Sequence, residues 1–250
     1  MGTVMDTTLV PGRLGRVSPA ETPGDTPLRR YVLPLVVRVE RANPPTRVDA
    51  LETAARATVT LLADPRAAQS GGEWREVVEL WEERGIRKVV RRARGAEWRR
   101  VAPLPGLTVT GRTAEVRVFP PVPLDDWPYE LSRLQVSGTD LDDPEPPGPP
   151  PSGVPVLWTS PELTMSAGKA MAQAAHGAQL LWWALDAGRR TRWAAEGFPL
   201  AVRAAHGGEH WARLRESGAP VVRDSGLTEI APGSETVVAE HEAWHPHRTG

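Results

Sequence analysis

The stretch Leu163–His176, LTMSAGKAMAQAAH, decides the fold because it combines a helix start with polar groups in an otherwise apolar run. Ser166 is a strong N-cap residue, and the following AGKAMAQAAHGAQLLWWAL contains neither Pro nor a β-branched side chain. The spacing predicts a long helix from near Gly168 to Leu185. Met171, Ala174, Ala178, Leu181, Trp182 and Leu185 make its apolar face, and Lys169, Gln173 and His176 fall at i, i+4 and i+7 on one stripe. A cation in the first turn opposes the helix dipole, at a cost of a few tenths of a kcal/mol. By position alone Lys169 reads as a solvated surface residue. Composition argues otherwise, because of thirty Lys and Arg residues only Lys88 and Lys169 are Lys. A side chain able to lose its proton stands where an always-charged guanidinium is the default.

Working outward, Val221–Val238, VVRDSGLTEIAPGSETVV, reads as strand, loop, strand, with Gly and Pro supplying the turns. Asp224 ends an apolar strand, where a carboxylate needs donors or a cation if water is excluded. A turn-capping role serves Asp224 equally well, and Thr228 and Thr236 taken singly are ordinary strand residues.

Together the two segments resemble the type-2 peptidyl-tRNA hydrolases of archaea and eukaryotes. The helix signature M-x-x-G-K-x-x-A-Q-x-x-H-A is matched by Met165, Gly168, Lys169, Ala172, Gln173 and His176. The second signature, D-A-G-x-T-Q-I-A-P-G-[ST]-x-T, is matched by Asp224, Gly226, Thr228, Ile230, Ala231, Pro232, Gly233, Ser234 and Thr236. The resemblance covers residues 154 to 240 and implies hydrolysis of the ester between peptide and tRNA, with Lys169, Asp224, Thr228 and Thr236 as catalytic residues. Lys169 would stabilise the oxyanion, Asp224 would hold Lys169 and orient water, and the two threonines would donate hydroxyls. Gln173, His176 and Ser234 are the supporting residues. Two positions depart from the family: Ala167 and Leu227 stand where basic residues are usual, which weakens the expected grip on tRNA phosphates. The alternative is a non-catalytic module that holds tRNA or a ribosomal partner.

Composition bounds the rest. With no Cys, a disulfide framework and a Cys nucleophile are excluded, and a reducing cytoplasm is expected. The formal net charge of -1 provides no global basic field, so nucleic acid must be held by a local patch. No run approaches the ~20 apolar residues of a membrane span. The chemistry implied needs neither metal nor cofactor. Arg over Lys with abundant Ala, Gly and Pro suggests a GC-rich bacterial genome.

Residues 1–28 read as a disordered tail, and order starts at YVLPLVVRVE. A strand over Val32–Val39, covered on both faces, precedes a helix over VDALETAARATVTLLAD, a second over EWREVVELWEERG and strands at IRKVVRRA, GLTVTG and TAEVRVFPP. This order recurs in the second half, with GLT at Gly106 matching GLT at Gly226. We therefore expect an α/β chain of two tandem copies of a small mixed β-sheet domain with helices packed on its faces. The expected boundaries are 29–139 for a degenerate copy, 140–153 for an acidic Pro-rich linker, 154–240 for the hydrolase-like copy and 241–250 for a tail. The first copy has Leu104 where the second has Asp224, so hydrolysis is expected only from the second. A family that acts as homodimers suggests a covalent pseudo-dimer, by analogy.

From Arg84 to Arg117 there are ten basic and two acidic residues. Arg87, Lys88, Arg91, Arg92 and Arg94 are candidate tRNA contacts, with Trp98 available to stack on a base. A solvated Arg-rich face explains the same strip. Trp182 and Trp183 read as core, the His-containing tail as solvated, and His206 and His210 as lacking partners.

Overall fold

The computed structural model describes residues 29–241; the expected tail over 1–28, and the expected tail over 241–250 apart from its first residue, lie outside them. The first half runs β1 (Tyr31–Arg38), α1 (Arg47–Ala63), α2 (Pro65–Ala68), α3 (Arg75–Glu83), β2 (Lys88–Ala93), α4 (Ala96–Val101), β3 (Leu107–Thr110), β4 (Glu115–Val118), β5 (Val122–Pro123) and α5 (Tyr129–Ser132). The second runs β6 (Val156–Thr159), α6 (Ala167–Ala184), α7 (Ala187–Ala195), β7 (Ala201–Ala204), α8 (Gly208–Glu216), β8 (Val221–Arg223) and β9 (Glu235–Glu240). No helix among the described residues is long and apolar enough to cross a membrane.

The two sheets share one topology. In the first the order is β2-β1-β4-β3, with β5 also on β1; in the second it is β7-β6-β9-β8. β1 pairs parallel with β2 and antiparallel with β4, and β6 pairs parallel with β7 and antiparallel with β9. The central strands carry apolar runs because both faces are covered. Along β1, Leu33, Leu35 and Val37 join the large core, while Val36 faces a separate cluster with Ala93, Trp98 and Leu134.

The halves pack against each other through equivalent elements. α1 lies against α6, α6 reaches β2 and α1 reaches β7, so each long helix covers its own sheet and the edge strand of the other. Gly177 makes the near side of α6 possible: a Cβ there would come within 2.8 Å of Val237 Cγ1 on β9. At 100° per residue, Gly168, Met171, Ala172, Ala175 and Gln179 lie on the far side, toward the first half. Reciprocally, Glu52 of α1 accepts from Val202 N at 3.1 Å and Arg203 Nη1 at 2.8 Å on β7. Residues 140–153 form no helix or strand, yet they are tied down. Asp143 Oδ1 accepts from Val48 N at 3.0 Å, capping α1, and Leu141 is buried.

The third residue of α6 is Lys169; the third of α1 is Asp49. Asp49 crosses to the β3–β4 turn and accepts from Arg112 N at 3.1 Å, Ala114 N at 2.8 Å, Thr113 Oγ1 at 2.9 Å and Thr113 N. Burial is the largest single influence on its carboxyl and acts to raise it, but the bonds from Thr113, Ala114 and Arg112 together hold it below the usual carboxylate range. Where the second half carries a cation, the first therefore has a clamped anion. Asp49→Asn puts an amide among four donors and is expected to lower unfolding free energy by about 3 kcal/mol. Because the folded value is depressed, the contribution is present above the ordinary carboxylate range and is lost on acidification below about pH 4. Urea melts at neutral and acid pH check this: the gap between wild type and variant should shrink in acid.

Candidate active site

α6 starts where Ser166 Oγ accepts from Lys169 N at 3.2 Å, as its N-cap position requires. The loop after β8 adds a second cap: Glu229, in a left-handed conformation at φ 62°, accepts from Ser166 N at 2.9 Å and Ser166 Oγ at 2.8 Å. A carboxylate over the positive end of the helix dipole fastens the loop to α6. The loop itself turns on Gly226, at φ 72°, where a Cβ would lie 2.3 Å from the Pro232 ring. Asp224 N donates to Ser234 O at 2.9 Å and Gly233 N donates to Asp224 O at 2.7 Å, which closes the loop on the last residues before β9.

This framework brings Lys169 and Asp224 together, with Nζ 2.6 Å from Oδ2 and side-chain exposures of only 9% and 8%. Gln173 Nε2 donates to the same oxygen at 2.8 Å, and Gly226 N donates to Oδ1 at 2.8 Å. Thr228 Oγ1 lies 3.3 Å from Lys169 Nζ on the exposed side. Thr236 sits elsewhere: it is fully buried, donates to Gln173 Oε1 at 2.6 Å and does not line the cavity. Its hydroxyl therefore orients the Gln173 amide toward Asp224 instead of meeting a ligand. Ser234 supports the loop through its carbonyl, and its hydroxyl turns back to Ala231 O at 2.7 Å. His176 faces the cavity but bonds to Lys88, not to Lys169.

The pair borders a cavity of about 680 Å³ whose wall comes from both halves. Lys169, Gln173, His176, Asp224 and Thr228 come from the second half; Arg30, Arg84, Arg87 and Lys88 come from the first. Both lysines of the chain thus line one cavity. Leu227, 59% exposed, and Val136, 51% exposed, also line it. Ala167 is buried, so a lysine there would need a partner it lacks; Arg47 Nη2 instead donates to Met165 O at 2.9 Å beside it.

The basic strip does not form one surface, because successive side chains of a strand face opposite ways. Arg87 and Lys88 both line the cavity, Lys88 with most of its side chain buried in the wall. Arg91 packs over Trp127 at 4.4 Å and donates to Leu134 O, and Arg92 is tied to Gln135, so both are spent on the segment after α5. Arg94 is exposed beyond β2. Trp98 is buried under Arg38 and cannot stack on a base. Trp183, expected in the core, is 40% exposed and donates to Glu82 at 3.2 Å. His206 and His210 stack at 5.1 Å and meet the edge of Trp158. Among the described residues no cluster of His, Asp and Glu is placed to hold a metal ion.

Sequence reasoning missed the cavity contribution of Arg30 and Arg84 and the contact of His176 with Lys88. The rarity of lysine was the one available signal for the last. Compared with known families, residues 155–241 match the one described as Peptidyl-tRNA hydrolase PTH2. No curated protein matches the chain.

Proposed function

We propose, taking the C-terminal part as a member of the peptidyl-tRNA hydrolase PTH2 family, that this chain hydrolyses the ester joining a peptide to the terminal ribose of tRNA. The observation that carries the reading is the shielded Lys169–Asp224 pair at 2.6 Å on the wall of a cavity large enough for an aminoacyl-ribose end. An ammonium has three hydrogens. Asp224 takes one and Thr228 lies within reach of a second, leaving the third for the ester carbonyl as it becomes an oxyanion. A carboxylate offers about four acceptor directions. Lys169, Gln173 and Gly226 fill three, and the remaining one on Oδ1 can orient the attacking water.

In this reading the first half is a degenerate copy of the same domain, and the pair forms a covalent pseudo-dimer. The matched strand order and the Asp49-for-Lys169 exchange support that. Incubating the purified chain with N-acetyl-aminoacyl-tRNA tests the activity: release of the acyl amino acid is expected, and binding without release would favour a non-catalytic module.

The cavity also redirects the expected tRNA contacts to Arg87, because Arg84 Nη1 already donates to Arg29 O at 2.7 Å. Replacing Arg87 by Ser should raise KM and flatten its dependence on salt, since each lost phosphate contact removes about one released counterion from the slope. Replacing Arg91 and Arg92 should leave the slope unchanged, because their guanidinium groups already serve the 132–135 segment.

A further inference from the structure

Lys88 is the second lysine of the cavity and belongs to the half without the Lys169–Asp224 pair. Its Nζ has a polar partner in each of three directions: Gln179 Oε1 at 2.5 Å, His176 Nδ1 at 3.1 Å and Ile86 O at 3.4 Å. The Trp81 ring closes the remaining side at 4.9 Å. The direction of these bonds is set from outside the group. Glu82 accepts from Gln179 Nε2 at 3.4 Å and from Trp183 Nε1 at 3.2 Å, which turns the amide oxygen of Gln179 toward Lys88. Lys88 must then donate to Gln179.

We infer that Lys88 is a positioning residue of the active site, donating to His176 Nδ1 so that the His176 ring is held with its proton on Nε2, as a hydrogen-bond donor for substrate in the cavity. Burial, with Lys88 and then Lys169 nearby, pushes His176 well below the usual imidazole range and keeps it neutral. A neutral ring carries one N–H, and an Nδ1 that accepts places it on Nε2. Burial also pulls Lys88 well below the usual lysine range, with Glu82 opposing. The ammonium form, with three hydrogens, can donate to Gln179, His176 and Ile86 together. The chain Glu82–Gln179–Lys88–His176 alternates between the halves, so the degenerate half shapes the site of the other.

Imidazole ¹⁵N spectra of the full-length wild type should show His176 as the Nε2–H tautomer, and Lys88→Met should abolish that single state. The same variant should lower kcat on N-acetyl-aminoacyl-tRNA by roughly tenfold to a hundredfold, as misplaced groups do, with little change in KM. His176→Asn should do the same, and Lys88→Met combined with His176→Asn should be no worse than the more damaged single variant. An Nδ1–H tautomer in wild type, or losses that multiply in the double variant, would overturn the inference. It rests on the hydrolase reading for its kinetic arm alone. A wild-type chain that releases no acyl amino acid sinks that reading, while the tautomer and its dependence on Lys88 still uphold or overturn the positioning.

Discussion

Lys169→Arg and Asp224→Asn are each expected to lower turnover at least a hundredfold, about 3 kcal/mol of transition-state stabilisation. Arg keeps the charge but brings a planar fork that cannot occupy a site built around a point donor flanked by Asp224, Thr228 and the capped start of α6. Asn keeps the shape of Asp224 and removes the charge that fixes Lys169. Because both side chains are largely shielded, the substitutions also act on stability. Removing the anion leaves Lys169 without a counter-charge, which typically costs about 3–5 kcal/mol for a buried pair. Turnover must therefore be measured well below the melting transition of each variant. A control separates the two effects: Lys169→Met with Asp224→Leu removes both charges and should recover much of the stability while hydrolysis stays lost. Wild-type turnover in that double variant would remove the pair from the chemistry.

The elements that carry strong local signals were legible in the sequence. Ser166 before an uninterrupted Ala-rich run predicted α6 to within a residue or so, and the apolar run of β1 correctly implied cover on both faces. The recurring order of elements predicted two sheets of like topology. The short helix α5 was missed, because four residues give periodicity too little length to register. At the site, the ends of α6 and of β8 were visible as residue types out of place. Which polar groups reach the cavity was not visible, since that depends on the packing of the halves. Thr236 looks equivalent to Thr228 in sequence, yet one is buried behind Gln173 and the other is exposed. Lys88 looked like a member of a basic strip because strand alternation, which turns it beneath α6 while Arg91 faces Trp127, carries no mark in a run of Arg and Lys.

Separating the halves is expected to abolish most hydrolysis, although the sequence alone places whatever activity a separated piece keeps in the second half. The reason lies on α6. One side covers its own sheet; the other, with Met171, Ala172, Ala175 and Gln179, is covered by the first half. Exposing one Met and two Ala side chains costs about 4 kcal/mol at the usual burial coefficients, a large share of the stability of a small domain. The cut also removes Lys88 and the Arg84 and Arg87 wall of the cavity, so a folded fragment would have an incomplete site. Expressed alone, residues 154–250 should self-associate through the uncovered face of α6, which is rich in small residues, and retain under about a tenth of the full chain's turnover. Residues 28–153 alone should be inactive, because Asp49 stands where a cation is needed. Co-expression of the two pieces should restore a one-to-one complex and activity, since α1 and α6 present complementary stripes without needing the 140–153 connection to find each other. Size-exclusion chromatography and the release assay on the separate and combined pieces decide it. A monomeric C-terminal fragment as active as the full chain would show that the cavity wall from the first half contributes nothing to catalysis.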